Sequence, residues 1–291
     1  MQKMIKRGTL RNIALGIAGF AATCASALIW DAHRGATPDA YYVALGSSFA
    51  AGLGLGPRAP GSPIVSQRSV NGYPQQVARL LKVPSFTDMT SSGATVRHVL
   101  YGGQMMLGPQ VDALGPNTRL VTLTVGGNDI GYVGDLVAMG WRNKGGIIGA
   151  AVALLWKGAK PIAERDFPAL DANLRATLRE IQRRSPNARI MVVTYPTILP
   201  PAGTCPSLSI TAAQAAHMRL VGEKLAEVTR DAAHSMGIAV VDVATLSADH
   251  NACSRQPWVN GISPKSGAAF HPTFAGARAT AQAIAKQLAE S

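Results

Sequence analysis

The spacing of apolar residues along the chain predicts alternating strands and helices. Four short β-rich runs are predicted as strands: Tyr41–Leu45, Arg119–Val125, Arg189–Thr194 and Ile238–Val243. Apolar residues recur with helical spacing in residues 73–81, 166–184, 211–236 and 274–288. Strands that alternate with amphipathic helices pair in parallel through right-handed crossovers. We therefore predict an α/β fold, with a central parallel sheet covered by helices on both faces, in a single domain over residues 40–291.

The N-terminal segment has the pattern of an export signal. Basic residues at positions 3, 6, 7 and 11 precede an almost uncharged apolar run from Ile13 to Trp30. Ala25-Ser26-Ala27 fits a small-residue cleavage site, although the run is also close to the length of a membrane span. We predict that residues 1–36 are a signal peptide or an N-terminal membrane anchor. The working domain is then secreted, periplasmic or at the cell surface.

The charge balance points to anionic surfaces as partners. The chain has a formal net charge of +12, and residues 1–36 account for five basic residues and one acid. The rest keeps 23 basic and 15 acidic residues, so it stays basic. An anionic membrane or a cell-wall polymer is the expected surface. Export, 5% aromatic residues and the lack of a basic run argue against a nucleic-acid partner, and we expect a monomer.

Two cysteines remain beyond the export segment. Cys205 and Cys253 lie in Pro- and Ser-rich segments, and an even pair in an exported chain usually forms a disulfide. Two free thiols are the alternative. The pair lacks histidines at ligand spacing, so we predict no metal site. The glycine run Gly52–Gly56 is a poor dinucleotide fingerprint, since no Asp or Glu occurs between Asp39 and Asp88, and no cofactor is predicted.

One segment, residues 141–160, fits the alternating pattern poorly. Ile147–Trp156 is a nearly continuous apolar run, too short to cross a bilayer. Helical apolar runs of this length usually belong to a core, so we expect a buried helix. A lid or a lipid-facing flap over the functional site is the alternative.

Polar residues follow the predicted strands at the sheet edge where ligands bind in such folds. Ser48 follows the first strand and Asn128 the second, while Gly93 lies in a Ser- and Thr-rich turn. Ser48 is either a nucleophile at a helix start or an ordinary helix cap. Asn128 is either an oxyanion donor or a turn residue. His271, in the loop before the last helix, has the pKa of a general base.

The order and spacing of these segments resemble the four blocks of the SGNH (GDSL-like) hydrolases. The blocks are Gly46-Ser47-Ser48, Gly93, Gly126-Gly127-Asn128-Asp129 and His271-Pro272. The resemblance covers residues 41–288 and is strongest to the secreted esterase branch typified by a Streptomyces scabies esterase. It implies a flavodoxin-like three-layer α/β/α fold. It also implies hydrolysis of small-molecule or lipid carboxylic esters through an acyl-enzyme.

The resemblance assigns roles residue by residue. Ser48 is the nucleophile and first oxyanion donor, Gly93 and Asn128 are the other donors, and His271 is the base. The chain departs from the family at Ala268, where the family has an aspartate three residues before the histidine.

In the resembled branch a main-chain carbonyl orients the imidazole, so we expect the carbonyl of Ala268 to do so here. Asp242 and Asp249 are alternatives. A Ser-His dyad of modest turnover is expected, since a neutral acceptor stabilises an imidazolium less than a carboxylate does. The missing acid is also the one argument for a different function, a non-catalytic SGNH-like binding protein at the cell surface.

Overall fold

The computed structural model describes residues 37–290 together with Thr23, Ser26 and Asp31. The predicted signal peptide or anchor, residues 1–36, lies outside the described residues except at those three positions. In the described part of the chain, no helix combines the length and the apolar character that a bilayer crossing requires.

A parallel five-stranded sheet forms the centre of the molecule. Its strands are β1 (Tyr42–Gly46), β2 (Phe86–Asp88), β3 (Leu120–Thr124), β4 (Arg189–Val193) and β5 (Ala239–Val241). They lie in the order β2-β1-β3-β4-β5, and every neighbouring pair is parallel. The predicted α/β class and all four predicted strands are confirmed. The prediction missed β2, because three residues are too few to show a periodic pattern.

Helices follow most of the strands. In the described residues they are α1 (Ser48–Ala51), α2 (Tyr73–Leu81), α3 (Val96–Tyr101), α4 (Tyr132–Lys144), α5 (Gly146–Leu155), α6 (Phe167–Arg184), α7 (Ala212–His234), α8 (Val243–Leu246) and α9 (Phe274–Ala289). Short 3-10 turns occur at Ile64–Ser66, Gln110–Ala113, Ile162–Glu164 and Ala248–His250. The four predicted helices correspond to α2, α6, α7 and α9.

Two apolar cores lie on opposite faces of the sheet. Along β1, Val43 and Leu45 belong to the larger core with α6 and α7, whereas Tyr42 and Ala44 belong to the smaller core with α2 and α9. Successive side chains of a strand point to opposite faces, so a strand covered on both sides is apolar throughout. All five residues of β1 are buried. The sheet is therefore a rigid base for the loops at its carboxyl edge.

The expectation of a buried helix at residues 147–156 is wrong. The run forms α5, but Ile147 is 91% and Leu154 is 85% exposed. Gly149 is the one buried residue of this helix, and an added Cβ there would lie 2.7 Å from the carbonyl oxygen of Trp141. The helix packs on α4 through this small residue and presents the rest outward. Hydropathy alone does not distinguish a core helix from an exposed apolar one.

The predicted disulfide is present between Cys205 and Cys253. Beside it, the backbone N–H of Ile262 donates to the carbonyl of Ser207 at 2.8 Å. Two residues earlier, the N–H of Asn260 donates to the carbonyl of His271 at 2.9 Å. The disulfide thus ties the loop of Cys205 to the loop of Cys253. Both lie next to residues 260–262, which contact Ser207 and His271.

Removing this disulfide in a Cys205→Ser/Cys253→Ser variant should lower the free energy of unfolding by about 2–4 kcal/mol, because the unfolded chain regains the freedom of a closed loop. Denaturant unfolding of the variant and the unmodified protein measures the difference. Cys205→Ala/Cys253→Ala should show the same loss, because it removes the same bond. Equal stability of the double variants and the unmodified protein would contradict the expectation.

Candidate active site

Ser48 is placed by the close approach of β1 to β3. Gly46, the last residue of β1, has a φ of 141°, and a Cβ there would lie 2.3 Å from the carbonyl oxygen of Thr124. Only glycine fits such a backbone. The N–H of Ser47 donates to the same Thr124 carbonyl at 2.8 Å. The chain then turns into α1, so Ser48 opens this short helix at the carboxyl edge of the sheet.

Ser48 and His271 meet across this edge. The Oγ of Ser48 lies 2.8 Å from Nε2 of His271, and the two residues are 6% and 8% exposed. The other ring nitrogen, Nδ1, lies 2.8 Å from the carbonyl oxygen of Ala269. A carbonyl only accepts, so Nδ1 carries the proton and Nε2 accepts from the serine hydroxyl. This is the arrangement that a serine nucleophile and its base require.

The expected partner of the imidazole, the carbonyl of Ala268, is corrected to that of Ala269. The Ala268 carbonyl instead accepts from the backbone N–H of His271 at 3.2 Å and from Nδ2 of Asn260 at 3.3 Å. Between them, Phe270 is fully buried with a left-handed φ of 56°. This strained turn brings the carbonyl of Ala269, rather than that of Ala268, to the side chain of His271.

The two alternative acids do not orient His271. The carboxylate of Asp242 caps α8 and pairs with Arg230 at 3.2 Å. Asp249 lies in the Ala248–His250 turn. No carboxylate of the described residues is within hydrogen-bond distance of the His271 ring, so a neutral carbonyl is its orienting group.

Burial sets the protonation of the imidazole. Desolvation lowers the pKa of His271 below its ordinary value, and the hydrogen bond to Ala269 opposes that shift in part. The ring of Phe49 packs against the imidazole with centroids 4.9 Å apart. Burial therefore favours the neutral imidazole, which is the form that can accept a proton.

Asn128 and Gly93 lie on two loops that dock on each other. Nδ2 of Asn128 donates to the carbonyl of Ala94 at 2.8 Å, and the carboxylate of Asp129 accepts from the N–H of Val96 at 3.1 Å. Gly93 has a left-handed φ of 84°. Burial raises the pKa of Asp129 to about 6, while the Val96 hydrogen bond opposes the rise. These contacts hold the asparagine amide beside the glycine turn.

The glycine turn is tied to the nucleophile's strand. The backbone N–H of Ser91 donates to the carbonyl of Gly46 at 3.0 Å, two residues before Ser48. All four sequence segments with candidate residues thus gather at one edge of the sheet. The oxyanion roles of Gly93 and Asn128 remain predictions.

Tyr195 is a residue of the site that sequence reasoning missed. Its hydroxyl lies 2.7 Å from Oγ of Ser47 and accepts from the N–H of Gly127 at 3.2 Å. Its ring also packs on Phe49, with centroids 4.5 Å apart. Tyr195 directly follows the predicted strand Arg189–Thr194, and that position was the signal available in the sequence. The tyrosine joins the nucleophile loop to the asparagine loop.

The glycine run Gly52–Gly56 supports the histidine loop. A Cβ on Gly54, whose φ is 76°, would lie 2.8 Å from the carbonyl carbon of Gly267 and 2.9 Å from the nitrogen of Ala268. The absence of side chains lets the two loops touch. This packing gives Gly54 a structural role, while Gly52 lies against Gly72 instead.

A sequence profile of the GDSL-like lipase/acylhydrolase family matches residues 44–279. The matched range includes Ser48, Gly93, Asn128 and His271, in the geometry described above. The chain belongs to this family. It is a carboxylic ester hydrolase with the SGNH fold.

Relatives within the GDSL family are lipases of Streptomyces. Lipase 2 of Streptomyces coelicolor is 33% identical over 264 residues, which are 85% of this chain and 85% of that protein. The lipase of Streptomyces rimosus is 28% identical over 235 residues, 81% of each chain. The chain therefore spans most of the length of these relatives.

Solved structures show the same GDSL-family fold. Phospholipase A1 from Streptomyces albidoflavus superposes with a TM-score of 0.67 at 25% identity, over 87% of this chain and 99% of that one. The extracellular lipase of Streptomyces rimosus gives a TM-score of 0.67 at 26% identity, over 84% and 98%.

Tyr195→Phe should lower the free energy of unfolding by about 1–3 kcal/mol, because Ser47 and the N–H of Gly127 lose a buried hydrogen-bond partner. Tyr132→Phe is the matched control: Tyr132 and Tyr195 line one cavity of about 440 Å³, and the Tyr132 hydroxyl bonds no other described residue. Thermal and denaturant unfolding measure both variants. Similar losses in the two would show that the Tyr195 hydroxyl does not join the loops.

Proposed function

We propose that this protein is an exported serine esterase or lipase that cleaves carboxylic esters through an acyl-enzyme on Ser48. The observation that carries the proposal is the 2.8 Å contact between Ser48 Oγ and His271 Nε2. The ring is held in the required tautomer by the carbonyl of Ala269. A serine hydroxyl is a weak nucleophile without such a base.

In the first half-reaction, Ser48 Oγ attacks the ester carbonyl carbon while Nε2 of His271 takes the hydroxyl proton. The tetrahedral intermediate then breaks its bond to the alcohol oxygen, which receives that proton from Nε2 and leaves as the free alcohol. In the second half-reaction, His271 takes a proton from water, and the hydroxyl attacks the acyl carbon. The proton returns to Ser48 Oγ, and the carboxylic acid is released.

The negative charge of each intermediate falls on the former carbonyl oxygen. We assign its donors to the backbone N–H groups of Ser48 and Gly93 and to the side-chain amide of Asn128. Asn128 uses one Nδ2 hydrogen on the Ala94 carbonyl, which leaves the second hydrogen for the oxyanion. The Ala94 contact also fixes the orientation of the amide before substrate arrives, as preorganised stabilisation requires.

The proposed substrates are lipid or small-molecule esters of carboxylic acids. Relatives that are lipases, and a structural neighbour that is a phospholipase A1, support a lipid ester. The disulfide and an extracellular relative support export. The basic balance outside residues 1–36 supports work at an anionic membrane or cell-wall surface.

Membership of the secreted esterase branch is part of the proposal. Its support is the Ala269 carbonyl, which takes the place of a carboxylate beside His271. A non-catalytic binding protein would have no need of the paired serine and histidine, so the contact between them favours the enzyme.

Hydrolysis of p-nitrophenyl esters of increasing acyl length tests the assignment. Ser48→Ala and His271→Ala should each lower kcat by about 10⁴-fold or more, since either change removes the nucleophile–base pair. Asn128→Ala should lower kcat by about 10²- to 10³-fold, the usual effect of losing one oxyanion donor.

A fluorophosphonate probe separates the enzyme from a binding protein. The probe should form an adduct on Ser48 in the unmodified chain and none in Ser48→Ala. Circular dichroism of the variants shows whether they fold. A folded Ser48→Ala that keeps ester hydrolysis would refute the proposed nucleophile.

The pH profile of kcat/KM should show an acid limb with its midpoint below pH 6.5, because burial lowers the pKa of His271 and its neutral form is the base. Activity is then present above the lowered pKa and lost as the pH falls through it. Asp129→Asn is the control, since the pKa of Asp129 is about 6. A limb that disappears in Asp129→Asn would belong to that carboxylate instead.

A further inference from the structure

In the described residues, the apolar face of α5 is a feature that the proposed mechanism leaves unused. Ile147, Ile148, Leu154 and Leu155 are all exposed along its ten residues. Contiguous exposed apolar surface of this kind marks an interaction site in soluble proteins. Scattered apolar residues elsewhere on the surface, such as Leu80 and Leu220, do not form such a face.

The helix runs back along α4 to the edge of the sheet that holds the active site. Gly145 and Gly146 turn the chain with left-handed φ values of 74° and 68°. After α5, Nε1 of Trp156 donates to the carboxylate of Asp135 at 3.1 Å. Asp135 lies in the first turn of α4, seven residues after Asn128. The C-terminal end of α5 therefore lies next to the loop of a proposed oxyanion donor.

Contacts at both ends hold α5 in place. The guanidinium of Arg165 binds Asp135 at 2.7 Å and also donates to the carbonyls of Ile130 and Lys160. At the other end, Nζ of Lys144 donates to Oγ of Ser263 at 2.6 Å. The apolar face is thus presented on a fixed helix.

Basic residues flank the apolar face on both sides. Arg142 and Lys144 precede α5, and Lys157 and Lys160 follow it, all four exposed. Residues 136–163 contain no Asp or Glu. A basic side chain close to an anionic lipid surface strengthens association about fivefold. Four such residues around an apolar helix complement a layer of anionic headgroups above hydrocarbon.

A second apolar pair borders the site. Met105 and Met106 are 60% and 50% exposed on the loop that follows α3. The same loop is tied to the glycine turn, because Nε2 of Gln104 donates to the carbonyl of Ser92 at 2.6 Å. Exposed apolar side chains therefore stand beside Gly93 as well as beside the Asn128 loop.

We propose that α5 docks the protein on an anionic lipid bilayer, with Ile147, Ile148, Leu154 and Leu155 among the acyl chains and the flanking cations on the headgroups. A ten-residue helix is too short to span a bilayer, so it lies in the interface. Docking adds a membrane surface to the proposed function. It rests on that proposal for the cleavage of the ester lipids in the surface. Docking places the active-site edge against a membrane that contains ester lipids.

An environment-sensitive fluorophore on α5 tests the docking. The full-length chain carries Ser48→Ala, which keeps vesicles intact, and Cys24→Ser, which removes the third cysteine. An NBD group on Leu154→Cys should shift to the blue in vesicles of phosphatidylcholine and phosphatidylglycerol, and added salt should weaken the response. The matched control is Leu80→Cys, which is exposed on α2 and should not respond.

Three results would overturn the proposal. A blue shift at position 154 without vesicles would show that a second copy or the N-terminal segment covers α5. The same response to pure phosphatidylcholine would remove the anionic requirement. A response to a soluble anionic cell-wall polymer, in the absence of lipid, would identify a different partner.

Kinetics separate docking from catalysis. Leu154→Gln/Leu155→Gln should lower hydrolysis of a vesicle-embedded ester by about tenfold and leave hydrolysis of soluble p-nitrophenyl acetate unchanged. Leu80→Gln/Leu220→Gln, at two other exposed helix positions, should change neither. Equal losses in the two variants would refute docking through α5. An unmodified chain without activity on p-nitrophenyl acetate would refute the proposed function, and the fluorophore result would still decide docking.

Discussion

The hydrogen bond between Ser48 and His271 joins two residues that are 223 positions apart in the chain. The packing of the site holds the two residues together. On one side, the sheet places the serine by pressing Gly46 against β3. On the other, a buried phenylalanine in a left-handed turn places the histidine. Gly46 and Phe270 are far apart in the sequence. The rigid double-faced core is what keeps a 2.8 Å contact between them.

The loops around this contact are coupled by a few buried and half-buried groups. Tyr195 connects the nucleophile loop with the asparagine loop, and Asp129 connects the latter with the start of α3. The disulfide secures the segments next to the histidine. A network of buried polar groups is costly unless each member has a partner. The arrangement therefore favours one geometry of the catalytic edge over nearby alternatives.

The sequence was sufficient for the fold class, the strands of the sheet centre and the positions of Ser48 and His271. Periodicity predicts long elements well, and the four motif blocks fix the order of the site. The sequence was insufficient where tertiary packing determines the contact. The choice between the carbonyls of Ala268 and Ala269 depends on one backbone turn at Phe270. The exposure of α5 depends on Gly149 resting on α4, and no local pattern encodes that contact.

His271 has a neutral carbonyl as its partner, and Asp129, on the neighbouring loop, is a carboxylate of the motif blocks whose pKa is shifted. Burial raises the pKa of Asp129 to about 6 and lowers that of His271, so it favours the uncharged form of both groups. The same burial that shapes the catalytic edge therefore weakens both charges that these two side chains could bring to it.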